Sequence, residues 1–347
     1  MSERILTPDY ILQQALAVHG TALSSYLQDK GVAESTAISQ QDGESCLTIV
    51  GCGTMGTAIL GGLLKSLDLA STAGNQDRIA TAASKSASGQ LLKRFNACIR
   101  SPASTKRIRE TLQHCSSFTS VAIHEDRPVE AVKQADTILL CCKPYLLRDI
   151  LQEPSMTEAL AGKLLISVCA GVTEEHIAAM LPSLSNGSPY CTIVCAMPNT
   201  AAAIGESMTV ISIPSETLTE DEKAIVDWIF NSIGRVSYIS PQLMNVSTAL
   251  CASGPAFVAV MVESLAAGAI AQGLPRDQAY MMAAQMMRGT TGLLLDGEHP
   301  AVLRDKVSTS GGCTTKGLMV LEEGGVRGTV AKAVREAAIA AGQLETT

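Results

Sequence analysis

Thr48-Ile49-Val50-Gly51-Cys52-Gly53-Thr54-Met55-Gly56-Thr57-Ala58-Ile59-Leu60 joins a short β-branched run to an apolar helix start through three glycines in GxGxxG spacing. Each glycine has its own mechanical reason. Gly51 permits the tight turn out of the strand, Gly53 lets a pyrophosphate come up against the backbone, and Gly56 lets helix and strand pack closely. A lone GxGxxG is a weak signal, because glycine-rich turns are common. This one follows a strand, opens a helix and begins a run of alternating strands and helices. The expectation is an α/β fold of the Rossmann type whose first turn, with Thr54 and Met55 at the helix start, binds a dinucleotide.

The alternation continues downstream. Strands are expected at Leu47 to Val50, Phe95 to Ile99, Thr137 to Cys142, Leu164 to Val168, Thr192 to Ala196, Met208 to Ile213 and Arg235 to Ile239. Glu174 to Leu181 and Thr219 to Ile233 read as helices, the second opened by the capping box Thr219-Glu220-Asp221-Glu222. From about Gln242 the strand signals stop. The text becomes helical, punctuated by Gly254-Pro255, Gly273-Leu274-Pro275 and Gly297-Glu298-His299-Pro300. Upstream, a helix is expected from Tyr10 to Asp29, but no chemistry attaches to it. Ser71 to Gly89, rich in Ser, Ala and Gly, reads as a surface insertion that could hold a false strand, Arg78 to Ala82. The expected organisation is an extension over 1–45, a Rossmann dinucleotide-binding domain over 46–241 and an all-α substrate and dimerisation domain over 242–347.

Composition narrows the function classes. A net charge of −7 from 26 basic and 33 acidic residues, with no long basic run, argues against nucleic acid and against a polybasic membrane surface. Small-molecule chemistry is the better expectation. The 11 cysteines include no CxxC pair and total an odd number, as expected of free thiols in a reducing compartment. No His or Cys set has metal-ligand spacing, so no metal site is expected. Glu3, Asp9 and Asp29 disfavour a secretory or mitochondrial leader, which makes the cytoplasm the expected location. Ala256 to Ala271 is the longest apolar stretch, but Glu263 and Gly268 interrupt it, so burial in protein rather than lipid is expected. Met281, Met282, Met286 and Met287 at near-helical spacing read as core.

Cofactor choice is usually decided at the end of the second strand. There Arg100 and Ser101, backed by Lys106 and Arg107, favour the 2′-phosphate of NADPH, with NADH possible; the alternative is a solvated basic helix start. The next two strands end at Cys142-Lys143-Pro144 and Cys169-Ala170-Gly171, on the carboxyl edge of the sheet where ligands bind in such folds. Lys143 is either a charge beside the cofactor or a loop lysine ahead of a rigid proline. Asn199 either meets the nicotinamide carboxamide or caps a turn.

Val307 to Glu323 supplies a second kind of site. Its hydroxyl-rich, glycine-paired turn runs into a helix, so free N–H groups, the positive end of the dipole and several hydroxyls can converge on one carboxylate. The plainer reading is an ordinary N-cap. With GCGTMGTAIL at 51–60, CCKP at 141–144, CAGVT at 169–173, MPNTA at 197–201, CASGPAF at 251–257, QGLPRDQA at 272–279, EHPAVLRDKV at 298–307 and STSGGCTTKGLMVLEEGGVR at 308–327, the chain resembles the pyrroline-5-carboxylate reductases over roughly residues 46–345.

The resemblance implies hydride transfer from NAD(P)H to the C=N carbon of pyrroline-5-carboxylate, giving proline. It implies that the turn of Ser308, Thr309, Gly311, Gly312 and Cys313 binds the substrate carboxylate, with Gly312 and Cys313 giving backbone N–H groups. Thr314 then faces the ring nitrogen as the catalytic residue, and Glu298 lies near the substrate pocket. Helical domains interleaved in a homodimer or higher oligomer are also implied. Four positions depart from the family's pattern: Ser310 for a proline, Lys306 for an amide, Phe257 for a tyrosine, and the neighbourhood of Pro128 for an asparagine. Lys306 either brings a second cation to the carboxylate or points to solvent. Two other readings remain open at this level, a β-hydroxyacid dehydrogenase and a non-catalytic NADP(H)-binding sensor.

Overall fold

The computed structural model describes residues 45–72, 92–182 and 190–344. The expected helix Tyr10 to Asp29, nearly all of the 1–45 extension, the false strand Arg78 to Ala82 and most of the insertion lie outside the described residues.

Eight strands form one sheet: β1 (Ser45–Val50), β2 (Leu92–Ile99), β3 (Val121–Glu125), β4 (Thr137–Leu140), β5 (Leu164–Ser167), β6 (Thr192–Met197), β7 (Ser207–Ser212) and β8 (Gly234–Ile239). Their order is β3-β2-β1-β4-β5-β6-β7-β8. The first six run parallel, β7 is antiparallel to β6, and β8 is parallel to β7. Order reverses between β1 and β4, so the chain passes from one side of β1 to the other there. In open α/β sheets that reversal opens a crevice at the carboxyl ends of the strands.

The expected strands are all present, with shifted ends, and β3 is an addition. It is the edge strand, half-exposed along its length, so it lacks the continuous apolar run that marks β4 and β5. Buried parallel strands need that run because helices cover both of their faces.

The longer helices are α1 (Thr54–Thr72), α2 (Pro102–Leu112), α3 (Glu220–Asn231), α4 (Gly254–Ala271), α5 (Arg276–Leu295), α6 (Pro300–Lys306), α7 (Cys313–Glu323) and α8 (Val326–Leu344). Ile59, Leu60, Leu63 and Leu64 of α1 pack with Leu47, Ile49, Phe95 and Ala97 in one buried cluster. The opposite face buries Val50, Cys98, Ile138, Leu140 and Leu165. Each such side chain contributes about 1.5–3 kcal/mol by leaving water. The expected capping box holds α3: Glu222 N–H donates to Thr219 Oγ1 at 3.2 Å, and Thr219 N–H donates to Glu222 Oε2 at 2.9 Å.

The chain divides into two compact units. The sheet unit runs to Val260 and resumes at Gly325; the helical unit takes Met261–Gly324. Within the sheet unit, α8 packs on the short helix Met244–Ser247.

Two expectations of burial fail for the single chain. Val258, Val260 and Leu265 of α4 are about half-exposed, and so are Met281, Met282 and Met286 of α5. Only small residues such as Ala266, Ala279 and Ala283 are buried in these helices. The helical stretch Pro241–Ala271 is long and apolar enough to cross a membrane by length and composition alone. Apolar spacing marks a face that needs cover, without saying which molecule covers it.

Candidate active site

The glycine turn of the sheet unit is built by close approach. Gly51 has φ +85°, and a Cβ there would lie 2.7 Å from both Cα and N of Cys142. Only glycine fits. Gly56 packs α1 against the sheet, since an added Cβ would meet Ile49 Cγ2 at 3.1 Å and Cys141 Cβ at 3.4 Å. Gly53 is different: a Cβ there would meet nothing nearer than Gly51 O at 3.9 Å. Its requirement for glycine does not come from the protein's own packing. Space left open at the second glycine suits a pyrophosphate against the backbone, so the residues present fit a dinucleotide. The turn hangs from β2 through Cys52 N–H to Cys98 O at 2.8 Å, while Thr54 is exposed and Met55 half-buried.

At the end of β2, Arg100 is exposed and Ser101 occupies the N-cap position of α2. Ser101 Oγ pairs with Ser104 Oγ at 3.2 Å. The two residues named as backing for Arg100 separate. Lys106 reaches Glu110 at 3.8 Å in an exposed pair, whereas Arg107 Nη2 donates to Cys52 O, inside the glycine turn, at 3.5 Å. Sequence spacing placed both on one helix, but only Arg107 faces back toward the turn.

The carboxyl ends of β4 and β5 bring Cys142 and Cys169 together, their sulfurs 3.8 Å apart. The hydrogen bond with Cys169, added to burial, pushes the Cys142 thiol well above its usual range, while the same bond lowers Cys169. Lys143, Pro144 and Ala170 are exposed, and Gly171 has φ +72°.

Asn199 is committed to the fold. Its Oδ1 accepts from Ala201 N–H at 3.0 Å, capping the turn Thr200–Ile204, and its Nδ2 donates to Cys251 O at 3.0 Å. Of its two expected roles, this is the cap. Cys251 lies in a π-helical stretch, Thr248–Ala252, that sequence periodicity did not signal.

The hydroxyl turn, in the helical unit, has a division of labour hidden from the sequence. Ser308 Oγ donates to Arg304 O at 2.7 Å, and Thr315 Oγ1 donates to Thr309 O at 2.7 Å. Gly312 N–H also donates to Thr309 O, at 3.0 Å. These bonds correct two expectations, since the Ser308 hydroxyl proton and the Gly312 N–H are spent on the turn itself. What the turn leaves open is the start of α7. Gly312 is its N-cap and gives no side-chain cap, and among the described residues the Cys313, Thr314 and Thr315 N–H groups have no acceptor. The Thr309 and Thr314 hydroxyls are likewise uncommitted there. Gly311 bends the chain at φ +67°, and a Cβ on Gly312 would strike Thr309 Oγ1 at 2.3 Å. This is an anion seat made of amide dipoles and hydroxyls.

Glu298 adds charge to the same unit. Lys306 Nζ bonds its Oε1, while its Oε2 is buried with no hydrogen-bond partner among the described residues. Lys306, more than half exposed, turns to Glu298.

Residues 241–344 match the family described as pyrroline-5-carboxylate reductase dimerisation, and residues 46–171 match the family described as NADP oxidoreductase, coenzyme F420-dependent. The chain is 48% identical over 309 residues to a pyrroline-5-carboxylate reductase of Lophium arboricola, covering 88% of this chain and 95% of that one. It is 44% identical to one from Neurospora crassa, covering 87% and 93%. In structure it is similar to a pyrroline-5-carboxylate reductase from Coxiella burnetii, with a TM-score of 0.68, 26% identity and coverage of 88% and 100%.

Proposed function

The chain belongs to the pyrroline-5-carboxylate reductase family, and from that premise we propose how its residues divide the reaction. It is an oxidoreductase acting on a CH–NH bond, reducing 1-pyrroline-5-carboxylate to proline with NAD(P)H in the last step of proline synthesis.

The start of α7 takes the substrate carboxylate. The observation that carries this reading is the uncapped helix start, with three N–H groups and the Thr309 and Thr314 hydroxyls all unspent. A carboxylate there satisfies orphan donors and meets the positive end of the helix dipole. Thr314 Oγ1 then serves the ring nitrogen, which accepts hydride at its neighbouring carbon best when protonated. Glu298, with one buried oxygen free, favours that positive charge. The nicotinamide, when bound, supplies the hydride; the protein's work is orientation and electrostatics rather than strong base chemistry.

For the cofactor, Gly51, Gly53, Thr54, Met55 and Gly56 form the pyrophosphate turn, with Arg100 and Ser101 on the 2′-phosphate of NADPH. Arg107 steadies that turn through Cys52 O. Cys142, Lys143, Pro144, Cys169, Ala170 and Gly171 line the carboxyl edge further along, and Asn199 acts on it only through the turn it caps. The exposed apolar faces of α4 and α5 belong to a homodimer or larger homo-oligomer, in keeping with the dimerisation family matched there. An odd total of 11 cysteines with no CxxC pair fits a reducing compartment, the cytoplasm.

The test compares pyrroline-5-carboxylate with 1-pyrroline, the same ring without its carboxylate, as acceptors for NADPH. Strong preference for the carboxylated ring is expected. Equal kcat/KM for the two would remove the carboxylate seat, and no oxidation of NADPH with either would remove the activity.

A further inference from the structure

The register of β4 and β5 continues past the strand ends into a pair of thiols. Leu140 lies beside Ser167, and Val168 N–H extends the ladder by donating to Leu140 O at 2.9 Å. Two residues further along each strand, Cys142 comes beside Cys169, with sulfurs 3.8 Å apart and Cys169 Sγ 3.4 Å from Cys142 O. Neighbours on adjacent strands are separated by roughly 5 Å, inside the Cα range that disulfides span. Closing the sulfurs from 3.8 Å to the roughly 2.05 Å of a disulfide draws the two chain segments together just past the ends of β4 and β5.

We infer that Cys142 and Cys169 are a redox modification site, forming a reversible disulfide with peroxides that weakens dinucleotide binding. Oxidation of one sulfur by a peroxide gives a sulfenic acid and a first molecule of water. The second sulfur attacks the first; the S–S bond forms, the S–O bond breaks, and the departing hydroxide leaves as a second water with the remaining thiol proton. Two thiols lose two hydrogens, and one hydrogen peroxide becomes two waters. A dithiol reductant reverses the bond by exchange. Cys142 is partly open to solvent while Cys169 is buried, so peroxide reaches the pair from the Cys142 side, oxidises the Cys169 thiolate, and Cys142 is the sulfur that resolves the sulfenic acid. The hydrogen bond between them favours the thiolate on Cys169, which gives the pair one nucleophilic sulfur.

The consequence for the cofactor follows from packing, and it rests on the dinucleotide reading of the glycine turn. Gly51 sits so close to Cys142 that a Cβ there would be 2.7 Å from the Cys142 backbone. Drawing Cys142 toward β5 shifts the surface on which that turn is seated. Lys143-Pro144 and Ala170-Gly171 follow the two sulfurs directly and move with them.

The experiment uses the full chain, treated with hydrogen peroxide, alkylated, digested and read by mass spectrometry beside NADPH titration. Expected are a Cys142 peptide linked to a Cys169 peptide, lighter by two hydrogens, and NADPH affinity roughly tenfold weaker, both reversed by dithiothreitol. In Cys169→Ala the link is absent, and affinity is expected to be the same before and after peroxide. Absence of the link while the exposed Cys313 is oxidised overturns the site. A link with undiminished NADPH affinity overturns the switch. Should the reduced protein fail to bind NADPH, the reading of the glycine turn is what has failed, and the mass spectrum alone judges the disulfide.

Discussion

Lys306 holds one oxygen of Glu298 and leaves the other buried without a partner among the described residues. Removing the ammonium strands the whole carboxylate. Lys306 is more than half exposed, so water screens much of the pair, and Lys306→Met is expected to cost under about 1 kcal/mol of stability. Lys306→Gln, whose amide can still donate to Glu298, should cost less. Urea midpoints measure both; a Gln variant weaker than the Met variant contradicts the account.

Gly51 and Gly53 separate folding from binding. Gly51→Ala meets both a positive φ and a backbone clash at 2.7 Å, so a loss of at least about 1–3 kcal/mol is expected. Gly53→Ala has room within the protein and should unfold much like the parent while losing NADPH affinity. Calorimetry with cofactor titration distinguishes them. Normal NADPH binding by a folded Gly53→Ala chain rules out the pyrophosphate turn.

Thr314→Ala removes a hydroxyl with no partner among the described residues, so stability should change little. A fall in kcat/KM worth about 1–3 kcal/mol is expected, with NADPH binding intact. Turnover at the parent rate would leave Thr314 as an ordinary first-turn residue.

Arg100→Ala should lower affinity for NADPH and spare NADH, since only the former carries the 2′-phosphate that a guanidinium binds bidentately. Arg107→Ala, which loses its bond to Cys52 O, should weaken both cofactors alike. An equal loss for NADPH and NADH in Arg100→Ala would assign Arg100 to solvent.

Alkaline pH should destabilise the sheet unit. Burial pushes Cys52 up to about 11 and Cys98, Cys191 and Cys195 up to about 12. Unfolded thiols ionise near about 8.5, so above that pH the unfolded chain binds fewer protons than the folded one. Stability is therefore full below that pH and falls as pH rises toward 11 or 12, by about 1.4 kcal/mol per pH unit per ionising thiol. Denaturant unfolding at pH 8 and pH 10 checks the slope, which Cys98→Ala should flatten; stability rising over that range would reverse the sign.

Much of this was legible in the residues. The GxGxxG spacing and the short unalternating apolar runs of β4 and β5 report burial directly, because a strand covered on both faces has no polar alternation to offer. β3 was missed because Val121–Glu125 is a half-exposed edge strand whose partner is 26 residues away in the register, Phe95 to Val121. The turn at Ser308–Thr314 was legible as a place but not as a wiring diagram. Which hydroxyls are spent depends on where Arg304 O and Thr309 O fall, and composition cannot report that. The apolar faces of α4 and α5 were legible as sticky but not as outward-facing, since periodicity carries no record of the covering surface.

The helical unit is spliced into the sheet unit rather than hung from its end, with the chain leaving at Val260 and coming home at Gly325. The last helix of the sheet unit, α8, lies on Met244–Ser247, where a Cβ on Gly342 would come within 3.4 Å of Asn245. Trimming the carboxyl terminus back toward the hydroxyl turn would thus spare the substrate residues and wound the cofactor unit. A graft of 261–324 onto another scaffold would have to supply two anchorage points instead of one.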